Sequence, residues 1–75
     1  MKQYEVVREI QNSCANNQMR DVFFSEIEAD DPLRWLKTQF AGRECRFRVD
    51  EVRPGAVTIY AEHAGMIEKY LFTEL

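Results

Sequence analysis

Two runs of strict alternation on either side of one tight turn constrain this chain more than any other feature. Across residues 43–52, Cys45, Phe47 and Val49 occupy one parity, and Glu44, Arg46, Arg48 and Asp50 the other. Val57, Ile59 and Ala61 repeat the pattern just beyond. A period of two belongs to a strand with one buried and one wet face. Between the runs, Arg53-Pro54-Gly55-Ala56 sets proline where its fixed φ suits a turn and glycine where a positive φ is required. The segment reads as a β-hairpin, and its apolar parity needs a second layer to cover it.

The rest of the chain supplies candidates for that layer. Residues 3–10 alternate, with Tyr4, Val6 and Ile10 opposed to Glu5 and Glu9, which predicts a first strand. Small uncharged polar residues from Asn12 to Gln18 then favour a turn, because their side chains bond their own backbone. Residues 21–29 carry Val22, Phe23, Phe24 and Ile27, a second strand. Its apolar residues fall on both parities, which predicts a central position covered on both sides. Asp30-Asp31-Pro32 has the chemistry of a helix start, with Leu33, Leu36 and Phe40 on one helical face, Trp35 beside it and Gly42 as the stop. After Ala64-Gly65, residues 66–75 fit a helical stripe of Ile67, Tyr70, Leu71 and Leu75, but Tyr70, Phe72 and Thr73 favour a strand.

The expected fold is therefore a single α+β domain over residues 1–75. It is a mainly antiparallel sheet of about five strands, in the order ββαβββ, with one short helix on one face. A β-grasp-like variant, its last strand parallel to the first, fits the same order. The chain ends Phe72-Thr73-Glu74-Leu75, without the Gly-Gly tail of a carrier of that shape.

Composition excludes several classes. Hydrophobic residues form 45% of the chain and charged residues 31%, a globular balance, and the net charge of −3 argues against a polyanion binder. No apolar run approaches a membrane span, and Met1-Lys2-Gln3-Tyr4-Glu5 opens no signal peptide, so a cytoplasmic protein is expected. Two cysteines, Cys14 and Cys45, suit a reducing compartment. With His63 they come from three separate elements and lack a paired C-x-x-C spacing, so neither metal nor cofactor is expected. A chain of 75 residues has a small core, and self-association as a homodimer is the natural supplement.

Three groups of residues can carry function. Cys14, Asn16, Asn17 and Arg20 form an amide-rich loop in which a nearby guanidinium would favour the thiolate, and His63 is the only imidazole. A turn with an inward cysteine and a structural histidine explains the same residues. Glu26 and Glu28 share a strand face as a carboxylate pair would, although solvated glutamates there are commonplace. Charge is uneven: residues 34–53 hold six basic side chains against three acids, whereas residues 1–33 hold three against seven. Arg46 and Arg48 point away from Phe47, toward the side that Tyr60, Tyr70 and Phe72 are expected to reach. Arginine and aromatic residues on one sheet face suit a protein interface, and less readily a single-stranded RNA platform.

No nucleophile–base pair or phosphate loop stands out, so a non-enzymatic role is expected. The leading expectation is a small binding or accessory module acting through protein–protein contacts as a homodimer, with Arg46, Arg48, Tyr60 and Tyr70 at the interface. The alternative is a small-molecule-binding or thiol-dependent activity at Cys14, Asn16, Asn17, Arg20 and His63. Weak RNA binding on the Arg/Tyr face ranks third.

Overall fold

The computed structural model describes the backbone of residues 1–11 and 20–75, and the side chains of 1–10 and 22–75. The elements are β1 (Lys2–Gln11), β2 (Arg20–Ala29), α1 (Pro32–Gln39), β3 (Arg46–Arg53), β4 (Ala56–His63) and β5 (Met66–Glu74). They form one five-stranded sheet in the order β2-β1-β5-β4-β3, and every pairing is antiparallel. The sheet so dominates that α+β describes the fold only approximately. Among the described residues no helix is long and apolar enough to cross a membrane.

Helix α1 covers one face. The Asp31 carboxylate accepts from the Leu33 amide at 3.0 Å, and Pro32 takes the first helical position, where a missing donor costs nothing. Gly42, at φ +82°, turns the chain away after the last turn. Eight residues are too few for a stable isolated helix, so α1 depends on what it buries. Leu36 and Phe40, one turn apart, pack on Tyr4, Val6, Ile59, Ala61, Tyr70 and Phe72, and Trp35 meets Phe72 edge to face at 5.9 Å. Leu36, Ile59 and Phe72 are fully buried.

Two tight turns and one bulge set which residues face the helix. Pro54-Gly55 closes the β3–β4 hairpin, with Gly55 at φ +78°. Ala64 and Gly65, at φ +50° and +74°, form the two-residue turn between β4 and β5 and place His63 opposite Met66. The β3–β4 register shifts between Val49 and Glu51. That bulge keeps Val52, opposite Val57, on the helix side and Glu51, opposite Thr58, on the other.

Three expectations need correction. The β-grasp-like variant fails, because β5 runs antiparallel to β1. β2 is an edge strand rather than a central one: Phe23 is 52% exposed and Phe24 71%. Its two-sided apolar pattern arises because Phe23 borders a cleft on the helix face while Val22 and Phe24 lie on the open face. Finally, the fifth strand turns Tyr70 and Phe72 into the core, away from the face of Arg48 and Tyr60.

A candidate anion-binding cleft beside the helix

On β1 the parity facing α1 runs Tyr4, Val6, Arg8, Ile10, so an arginine interrupts an apolar stripe. On β5 the same face runs Phe72, Tyr70, Glu68, and on β4 it runs Val57, Ile59, Ala61, His63. Register brings the three polar interruptions together. Arg8 lies opposite Tyr70 on one side and Phe23 on the other, while Glu68 lies opposite Ile10 and Ala61. The Glu68 side chain is 1% exposed, and both of its oxygens are engaged. Arg8 Nε donates to Oε1 at 2.6 Å, and its terminal nitrogen pairs with the same oxygen. His63 Nε2 donates to Oε2. A buried carboxylate needs this degree of pairing, because stripping it of water is costly unless every lone pair finds a donor.

The electrostatics follow from that arrangement. Burial opposes ionisation of Glu68, but the hydrogen bonds and charges of His63 and Arg8 outweigh it and hold the carboxyl below its ordinary range. Burial also opposes the charge on Arg8, and the bond to Glu68 overrides it, so the guanidinium is held yet more firmly protonated. Burial and the Glu68 charge together push the Tyr70 phenol up to about 12. Cys45 is raised by burial and by the charge of Glu68.

Above this network lies a cleft of about 410 Å³, between the Trp35–Gln39 flank of α1 and strands β1 and β2. Four aromatic rings, Phe23, Trp35, Phe40 and Tyr70, form part of its walls. Arg8 lies between two of them, with its guanidinium carbon 5.6 Å from the Phe23 ring centre and 6.0 Å from that of Tyr70. The imidazole of His63 packs against Phe40 at 4.9 Å. Arg43, Gln39 and Ser25 add polar groups at the margin. Arg8 and Arg43 give the cleft two guanidinium groups against the single carboxylate of Glu68.

Of the residues singled out from sequence, His63 and Tyr70 belong to this site. Cys14, Asn16 and Asn17 lie outside the described residues, and so does the side chain of Arg20, whose backbone opens β2 opposite Gln11. Cys45 and His63 line a neighbouring surface depression with Glu44 and Glu62. Arg46 and Arg48 stand on the helix-free face, where the Arg48 guanidinium lies 5.0 Å from the Tyr60 ring centre. Tyr70 is on the opposite face at 6% exposure, so the expected group of four is divided. Glu26 pairs in register with Glu5 and Glu28 with Gln3, on the open face. Arg8, Glu68 and Arg43 were missed. The available signal was a charged residue standing in the apolar parity of two separate strands.

No protein-family model, curated protein or solved structure matches this chain.

Proposed function

We propose that this chain is a small binding module that takes an organic carboxylate, carried on a flat apolar body, in the Arg8 cleft. The observation that carries the reading is the state of Arg8: anchored on a buried carboxylate, held between two rings, and still 41% exposed. A guanidinium fixed in this way has donors to spare and loses little freedom when a planar anion meets it. The aromatic side chains offer ring faces and edges against which a flat ligand ring can pack. The volume of about 410 Å³ falls in the range of small-molecule sites.

The test is a chemical-shift titration of the ¹⁵N-labelled protein with benzoate, using benzamide as the neutral isostere. Benzoate is expected to move the amides of Arg8, Phe23, Glu68 and Tyr70, while benzamide leaves them in place. Arg43→Gln removes an exposed charge without disturbing Glu68, and it is expected to weaken benzoate several-fold at unchanged stability. Equal response to the two probes, or none to benzoate, defeats the proposal.

A further inference from the structure

The two edges of the sheet both carry charge, Arg20, Asp21, Glu26 and Glu28 on β2 included, but they differ in regularity and in how their apolar residues are exposed. β3 is eight residues long, carries Arg46, Arg48 and Arg53, is bulged after Val49 and runs into Pro54. Each of these features discourages another strand from adding to it. β2 is ten residues in unbroken register with β1, without proline, and its Val22, Phe23 and Phe24 are 41%, 52% and 71% exposed. Among the described residues nothing pairs with the outer side of β2, and an edge of that kind is a template for a further strand.

We propose that β2 pairs antiparallel with β2 of a second copy about a two-fold axis through Phe23, joining the two sheets into one. The register follows from the strand read against itself. Antiparallel partners share a face, so the axis must pass through a residue. Centred on Phe23, Val22 meets the second copy's Phe24, Phe23 meets Phe23, and Arg20 stands opposite Glu26. Centred on Val22, Phe23 would face Asp21, and Phe24 would face Arg20. Centred on Phe24, Val22 would face Glu26. Centred on Ile27, Glu26 would face Glu28, and like charges directly opposite are unfavourable. Only the Phe23 register matches apolar with apolar and opposite charge with opposite charge. The axis stands perpendicular to the sheet, so both helices lie on one side and the two aromatic clefts adjoin at the Phe23 pair. This inference stands independently of any ligand in the cleft.

Sedimentation velocity on the whole chain through the micromolar range tests it. The wild type is expected to show a reversible monomer–dimer equilibrium. Glu26→Arg and Arg20→Glu each disturb two symmetry-related pairs and are expected to weaken association about tenfold. The double variant Arg20→Glu/Glu26→Arg restores the pairing in reverse and with it the dimer, which separates a lost contact from a lost fold. Arg46→Glu/Arg48→Glu, on the opposite edge, is expected to leave association unchanged. A wild type that stays monomeric, a double variant that fails to recover, or loss of the dimer in the Arg46/Arg48 variant overturns the proposal.

Discussion

The two flanks of α1 rest on the same sheet face and solve the same problem with different chemistry. On the β3 and β4 side, a cleft of about 350 Å³ is lined by Leu33, Val49, Val52, Val57 and Ile59, with charged groups only at its rim. On the β1 and β2 side, a cleft of similar size has Arg8, Glu68 and His63 at its base. Aliphatic lining is the cheaper way to build a face, since a buried ion pair rarely outperforms apolar residues of equal volume. A fold that uses the cheap solution on one flank does not need the expensive one on the other for stability. On the proposed reading, the aliphatic flank does structural work and the charged one recognition.

The largest expected effect breaks that comparison if it fails. Glu68→Gln leaves the half-exposed Arg8 facing a neutral amide, and because water screens much of its charge the expected cost in urea unfolding is about 1–3 kcal/mol. Arg8→Met/Glu68→Leu replaces the pair with apolar volume and is expected to return to within about 1 kcal/mol of wild type. The same double variant should lose its response to benzoate. A double variant as unstable as the single one would make the ion pair structural and erase the distinction between the flanks.

The pH dependence is the next largest effect, and its sign differs at the two ends. Glu68 is held below its ordinary pKa of about 4.3, so the folded state binds fewer protons than the unfolded state in acid. Its contribution is complete above that value and is lost as pH falls through the folded pKa. Tyr70 is raised to about 12, so its contribution is complete below the ordinary phenol value of about 10 and is lost as pH rises toward 12. Urea midpoints collected against pH should fall at both ends in the wild type. In Arg8→Met/Glu68→Leu the acid fall should be shallower. An identical acid limb in the two proteins would remove Glu68 from the explanation.

On the other flank the effects are smaller and flat in pH. Ile59→Val trims one methylene from a fully buried side chain and is expected to cost about 0.5–1.5 kcal/mol at every pH. A loss that varies with pH would mean that the two flanks are electrostatically joined.

Much of this division was legible in the sequence, and the missing part was non-local. The β3–β4 alternation, the Pro54-Gly55 turn and the Asp31-Pro32 helix start are short-range signals, and they hold in the structure. The two-residue turn at Ala64-Gly65 also implied that Tyr60 lies opposite Lys69 and Tyr70 opposite Ile59, which already separates the two tyrosines onto different faces. Reading tyrosines by type instead of counting through the turn concealed this. The position of β2 was not legible, because an apolar pattern on both parities describes a covered central strand and an uncovered sticky edge equally well. Arg8 and Glu68 are each a single charged residue in an otherwise apolar parity, on strands far apart in the chain. Their meeting depends on β1 pairing with β5 from opposite ends of the chain, a register that no local spacing encodes.

The smallest expected effect tests whether the charged flank can be separated from overall stability. Ala64 holds φ +50° beside His63, a conformation that disfavours alanine and suits asparagine before glycine in a two-residue hairpin turn. Ala64→Asn is therefore expected to stabilise by about 0.5–1 kcal/mol in urea unfolding. The turn lies outside the Arg8 cleft, so benzoate affinity and the shape of the acid limb should both stay as in the wild type. If the limb moves with the turn, the seat of His63 on Glu68 depends on the β4–β5 hairpin, and recognition on that flank shares its rigidity with the fold rather than standing apart from it.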